Sequence, residues 1–584
     1  MSAAAPASDQ QQQQQQTYVI ENVEVRFPPG SNAPTKRLVR STMRRTITPD
    51  GVRRLIRRGA DPRVVVELLW PRGPAGRHVL DVCVLSLAID DSSRLSALED
   101  ALDIWVFPDA AQLVLPLWPS RARQEAVLIQ LIRAGARVDG PPGAPTDVMN
   151  LGTGDDEKRT SHCPIQMAVR AANLTAVKVL TANGVGMRGL TLLFVPGKVR
   201  PNDEYEAALM AVYTHLVQHD PCLATELGPW SYNVIHRAVM NGKGYSDGFT
   251  LAFLQLMKDN GASVTHRHQF DSLGLGGADA TPLHEAAQYR AYPAIEWLCP
   301  YLTPADINAS SSANKTPLGL AGGQLANLVG HPLPSERRDE TISGMKGAVR
   351  TLLLSGAAID MVPTATDSDR HDRRLVDEEY VQLLDQLADD VMDAVNGALN
   401  PQRDVANLLT RLLPLARPKP SDSTDDAPAV PSRPSPFAHS NETPQIAWKV
   451  GAFFHEPEAV DQMRLTTHTP LAGRIKAAMQ HFVKCAATKT AGNREVVGVM
   501  ANVGGRVVRV PLQCFAVNRG QHAHRRLGLR EVVQKARLDE AARFGLTGVV
   551  KGFNTHLGNE ECQFEWQQLG WVDETGRFQP LGIS

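Results

Sequence analysis

Hydrophobic positions along the chain follow two rhythms, and each predicts a different kind of element. In the stretch ATPLHEAAQYRAYPAIEWLCPYL, Ala280 to Leu302, Leu283, Ile295 and Leu298 recur on one face of two short helical segments. Val376, Tyr380, Leu383, Leu384, Leu387, Val391 and Val395 recur at spacings of three and four, which predicts a longer helix. A second helix is predicted over Val405 to Leu413, and further helices over Arg474 to Cys485 and Leu529 to Phe544. The other rhythm is that of strands. Tyr18 to Phe27 alternates, and Glu495 to Val517 forms two β-rich runs around Gly504-Gly505, a two-residue hairpin signal because both glycines accept positive φ. Gln563 to Leu581 predicts a second hairpin that turns at Asp573 to Gly576.

The helical rhythm repeats. Thr281-Pro282-Leu283-His284-x-Ala286 has a hydroxyl suited to capping a helix, a proline suited to the first helical position and a small residue that lets two helices approach. Four other segments align to the same alanine: Cys83 to Ala88, Cys163 to Ala168, Asn233 to Ala238 and Thr316 to Ala321. Five apolar runs end alike, in LIRRGADP (Leu55 to Pro62), LIRAGARVD (Leu131 to Asp139), VLTANGVGM (Val179 to Met187), LMKDNGASV (Leu256 to Val264) and LLLSGAAID (Leu352 to Asp360). Each places a glycine just past the run, where a helix end needs positive φ.

Cys163 and Gly184 lie 21 positions apart, the spacing of an uninterrupted unit. The spacing grows to 28 from Asn233 to Gly261, 40 from Thr316 to Gly356 and 52 from Cys83 to Gly135. Surface connections tolerate such insertions because loop closure costs little per added residue. After Thr281 the glycine is replaced by Leu302 to Asn308, and the run ending at Gly59 has no recognisable opening before it.

On these heads and tails, residues from about 45 to 362 resemble a divergent ankyrin-repeat protein of about five to six repeats. The resemblance implies a mainly α fold, a solenoid of helix pairs with Ala88, Ala168, Ala238, Ala286 and Ala321 buried between helices, and a protein partner. The predicted organisation is a disordered Gln-rich tail over 1–16, an N-terminal extension over 17–44, the repeats over 45–362 and capping helices over 371–415. A linker over 416–445, with seven prolines between Pro418 and Pro444, precedes a small α+β domain over 446–584 of no recognised family.

Charge changes this picture little. With 61 basic and 62 acidic residues the chain carries no global signal for binding a polyanion. The ten Lys and Arg of Lys36 to Arg63 sit among helix-spaced Leu55 and Ile56 and are predicted to be a solvated face of the first repeat helices. Arg519, Arg525, Arg526, Arg530, Lys535, Arg537 and Arg543 are predicted likewise, since Glu531, Asp539 and Glu540 are interleaved and stacking aromatics are missing; no nucleic-acid partner is expected. No run approaches 18 apolar residues and the start lacks a signal-peptide layout, so the expectation is an intracellular protein, cytoplasmic or nuclear, with no membrane partner. The seven scattered cysteines, without a C-x-x-C pair, read as reduced thiols.

Candidate chemistry is sparse. His481, Cys485, Cys514, His522, His524, His556 and Cys562 could be assembled into a zinc site or a Cys/His nucleophile pair, but their spacing matches no zinc signature and no oxyanion motif accompanies them. They read as structural, and no cofactor, metal, catalytic residue or small-molecule substrate is expected. The glycines of Leu273 to Ala278 lack the spacing and the lysine of a phosphate loop and read as a connecting loop. The leading function is therefore a non-enzymatic interaction scaffold or adaptor. Its candidate partner-binding residues are Arg267, His268, Asp279, Tyr289, Arg290 and Tyr292, taken as exposed positions flanking the best-formed repeat. Two alternatives stand beside it. One is an accessory factor of a metabolic pathway such as a fungal secondary-metabolite cluster, which no residue demonstrates; the other is an enzyme or nucleic-acid binder acting through its C-terminal domain.

Overall fold

The computed structural model describes residues 17–19, 23–71, 77–89, 112–140, 160–161, 163–191, 201–228, 231–269, 278–330, 335–413, 443–454, 469–488, 497–503, 505–511, 513–519, 522–549 and 562–584. The Gln-rich tail, the Leu273 to Gly277 glycines and nearly all of the Pro-rich linker lie outside them. The chain is mainly helical and divides into two compact units, residues 1–297 with 311–314, and residues 298–310 with 315–584.

The first unit holds helices α1 (Ala33–Met43), α2 (Pro49–Arg57), α3 (Val84–Ile89), α4 (Arg121–Arg133), α5 (Pro164–Arg170), α6 (Leu174–Ala182), α7 (Asp203–His219), α8 (Val234–Asn241), α9 (Asp247–Asp259), α10 (Pro282–Gln288) and most of α11 (Tyr292–Leu298). Consecutive members pack as pairs, α1 on α2, α3 on α4, α5 on α6 and α8 on α9. First helices also meet first helices, α1 on α3, α3 on α5 and α8 on α10, and second helices meet second helices, α2 on α4 and α4 on α6. Ala88, Ala168, Ala238 and Ala286 are all 0% exposed, as is Ala321 of the second unit. A methyl group at these positions leaves room for close helix approach where a larger side chain would hold the helices apart.

Strands are more extensive near the N-terminus than the sequence suggests. The single alternating stretch after residue 17 is two short strands: β1 (Thr17–Val19) pairs in parallel with β5 (Gln112–Val114), and β2 (Glu24–Arg26) joins β3 (Val65–Pro71), β4 (Arg77–Cys83) and β6 (Thr160–Ser161) in a four-stranded sheet. The β3–β4 hairpin lies between the Gly59 ending and the Cys83 head, and β4 ends on Cys83 itself. Its signal was the β-branched run Val64-Val65-Val66, which the helical repeat reading passed over.

Three backbone features recur. After α2, α4, α6, α9 and, in the second unit, α14 (Ser335–Leu354), the glycine has positive φ: Gly59, Gly135, Gly184, Gly261 and Gly356. In all five the glycine N–H bonds the carbonyl three residues back, and the next N–H bonds the carbonyl five back. That next residue, Ala60, Ala136, Val185, Ala262 or Ala357, is buried. This is a Schellman ending with its apolar lock. The turn after the first helix repeats too, with Arg45, Ala172 and Arg290 at φ of 58°, 52° and 59°. The third recurrence lies two residues before a head, where Ser231, Asp279 and Asn314 have φ of 62°, 62° and 54°.

Gly184 gives a clean test of the first feature, since a Cβ there would meet nothing within 4 Å while φ is +75°. Gly184→Ala is expected to lower stability by about 1–2 kcal/mol through backbone strain alone. A denaturant-unfolding comparison checks it, and an unchanged midpoint would mean that the turn relaxes.

Arg45 departs from the solvated face predicted for Lys36 to Arg63. It is buried, donates to the carbonyls of Leu87, Thr42 and Pro116, and lies over the Trp118 ring. Its left-handed turn aims the side chain inward, and periodicity along α1 cannot reveal that.

The second unit contains α12 (Pro304–Ile307), α13 (Pro317–Gly330), α14, α15 (Asp367–Leu412), α16 (Thr443–Gly451), α17 (Pro470–Thr488) and α18 (Leu529–Phe544). α15 is one helix across the two predicted capping helices, with Pro401 inside it. It packs on α13, α14, α16, α17 and α18. Strands β7 (Val497–Val503) and β8 (Arg506–Pro511) form the expected hairpin, with Gly505 at φ 81°. A four-stranded sheet runs in the order β10 (His522–Gly528), β9 (Gln513–Arg519), β11 (Leu569–Val572), β12 (Phe578–Pro580). The β11–β12 turn is held by Asp573, whose carboxylate accepts from the Thr575 hydroxyl, Gln579 and two backbone N–H groups; these bonds hold its carboxyl down at about 2.

The basic run of α18 is a second correction to the predicted solvated faces. Arg537 is buried and pairs with Asp385 of α15, and Tyr380 of α15 donates to buried Glu540 at 2.7 Å. α18 packs on two helices and two strands, so Arg537 and Glu540 have partners inside the unit, whereas Arg543 stays exposed as expected.

Candidate functional site

The best-formed head closes on itself. Thr281 caps α10, Pro282 occupies the first turn, and His284 Nδ1 accepts from the Thr281 backbone N–H at 3.1 Å and meets its hydroxyl at 2.8 Å. That lone pair must therefore be free, which fixes the His284 proton on Nε2. His236 holds the same place in α8 with the opposite chemistry. Its Nδ1 lies 2.7 Å from Asn233 Oδ1, whose amide nitrogen is committed to the Ser263 carbonyl, so Nδ1 is the donor.

Around these two lies a buried polar and aromatic cluster. His268 Nε2 is 2.7 Å from Glu285 Oε1, with both side chains buried. The Tyr232 ring lies 4.4 Å from the His268 ring and 5.7 Å from that of His236, and His266 Nε2 bonds the Ser231 carbonyl at 2.9 Å. Burial drives the His236 ring down to about 3; the Ala280 carbonyl 3.3 Å from Nε2 opposes this, and His268, His266 and His284 reinforce it. His236 is neutral, its one ring proton is committed to Asn233, and its Nε2 lone pair faces the Ala280 carbonyl. Among the described residues no group of three His, Cys, Asp or Glu side chains can hold a metal ion.

The six predicted contact residues separate. Arg267 and Asp279 are exposed, and Tyr289, Arg290 and Tyr292 are half-buried. His268 is not a surface residue: it is 1% exposed and locked to Glu285. Its backbone pairs with Asp279 and Ala280 across the connecting loop, and this pairing turns the ring inward. Asp279 and Arg290 are held in left-handed conformations, so both shape the turn as well as its surface. Arg267 reinforces that turn by donating to the Asp279 carbonyl at 3.0 Å. Burial pushes the Tyr292 phenol up, against the pull of Arg290.

Sequence reasoning passed over Arg237. It occupies the same head position in α8 as Glu285 does in α10, and that register was available for comparison.

The C-terminal Cys/His set comes together only in part. His481 Nε2 lies 3.1 Å from the Cys514 carbonyl and 3.4 Å from Cys485 Sγ, between the Phe515 and Trp571 rings. A nitrogen that donates to a carbonyl has no lone pair with which to take the thiol proton. Cys514 and Cys562 are buried, and His556 lies outside the described residues.

Comparison with known proteins adds no name: no protein-family model matches the chain and no curated protein matches it. No described helix is long and apolar enough to cross a membrane.

Proposed function

We propose that the chain is a non-enzymatic interaction scaffold of the ankyrin type, which presents the turn and first-helix surface around Arg267, Tyr289, Arg290 and Tyr292 to a protein partner. The observation that supports it is the recurrence of one turn geometry, the five Schellman endings with a buried residue behind each glycine. Ankyrin units need such an ending so that each helix pair can stack on the next. The left-handed residues before three heads and the two layers of stacked helices in the first unit agree with it. A surface ordered before the partner arrives lowers the entropy cost of binding.

The test is quantitative capture of partners by the full chain and two variants. Tyr289→Ala with Arg290→Glu and Tyr292→Ala is expected to weaken capture roughly tenfold or more, as loss of aromatic and Arg anchors does. His481→Ala with Cys485→Ser is expected to leave it unchanged. The reverse pattern would shift the function to the C-terminal half.

A further inference from the structure

Arg237 is one of four arginines, with Arg170, Arg530 and Arg537, whose Nε is buried without an acceptor among the described residues. Among the described residues no ion pair engages its guanidinium either. Arg45 and Arg537, by contrast, reach carbonyls or a carboxylate. The residue retains partial exposure. Burial lowers the guanidinium's proton affinity, and among the described residues the Tyr232 and Tyr289 phenols offset this while no Asp or Glu does. The carboxylate at the equivalent position of the neighbouring helix, Glu285, is taken by His268. A desolvated cation without a counter-charge is costly, and the cost is recovered when an anion arrives.

We propose that Arg237, bordered by Tyr289, is a binding site for an oxyanion carried on a partner peptide, namely the carboxylate of an Asp or Glu side chain. The inference rests on the interaction-surface reading above and names its chemistry. The guanidinium fork matches a carboxylate with two parallel N–H bonds, and a bound carboxylate supplies the counter-charge that the half-buried guanidinium lacks. α8 packs on α10, and the Tyr289 phenol acts on the Arg237 guanidinium, so the two belong to neighbouring helices of the first unit. A phosphoryl group offers the same oxygen geometry from a different source.

A displayed library of random 12-residue peptides, selected in parallel on the full chain and on its Arg237→Met variant, tests this. Peptides selected on the wild-type chain are expected to share an acidic residue. A representative one should bind roughly tenfold or more weakly when that Glu is changed to Gln, or when Arg237 is changed to Met. The two losses should not add, because they remove the same contact. Replacing the Glu by phosphoserine separates the sources: tighter binding assigns the site to phosphorylated partners, and weaker binding to carboxylates. If Arg237→Met fails to fold, Arg237→Gln and the peptide-side change carry the same comparison. Binding that ignores both changes overturns the inference and leaves the interaction surface standing. Recovery of no peptide from either protein overturns both.

Discussion

Leu283→Ala is expected to cost about 2–5 kcal/mol, because truncating a buried leucine loses its transfer free energy and leaves a cavity that the surroundings fill only in part. Leu283 is 0% exposed and lies in the first turn of α10, which packs on α8. Neither helix is long enough to be stable alone, so each depends on the other's apolar face. Hydrogen exchange should therefore rise over Val234 to Asn241 as well as over Pro282 to Gln288. A denaturation midpoint gives the magnitude, and exchange measured by mass spectrometry gives the spread. A rise confined to α10 would mean that the two helices do not stabilise each other, and the repeat reading would lose its energetic basis.

Acid is expected to open the same region. An unfolded His236 titrates near 6.5, whereas burial holds the folded ring down at about 3. Below about 6.5 the unfolded chain binds a proton that the folded one refuses, so stability present above that pH is lost progressively as pH falls towards the folded value. Each pH unit in that window removes up to about 1.4 kcal/mol, or roughly 2–3 kcal/mol by pH 4.5. His236→Gln keeps a donor for Asn233 and has no titration, so its local stability should be lower at pH 7.5 and flatter with pH. Exchange over Tyr232 to Asn241 between pH 7.5 and 4.5, corrected for the intrinsic rate, separates the two. Equal slopes in the two proteins would assign the acid sensitivity to other groups.

Much of the first unit was legible because the same local demands recur several times along it. The glycine after each second helix is dictated by positive φ, and five copies of one requirement stand out where a single copy would not. The head alanines are legible for a similar reason, since close helix approach leaves few alternatives. Local hydrogen bonding also reached the C-terminal hairpins, where Gly505 and Asp573 act within a few residues of themselves. The opening of the first unit escaped notice because Ser41 replaces the alanine in α1, and only the Arg45 turn identifies it.

The sequence by itself determined the elements whose causes are local: helix caps, left-handed turns, hairpins and the apolar spacing that marks a buried face. Tertiary structure alone decided which charges are wet. Arg45, Arg537 and His268 look like surface residues in any window of sequence, yet each is buried by partners at Pro116, Asp385 and Glu285. Arg237 looks no different and has no such partner among the described residues. A charge's solvation depends on groups brought close by packing, through distances that carry no periodic trace along the chain, and the candidate binding site is made of that difference.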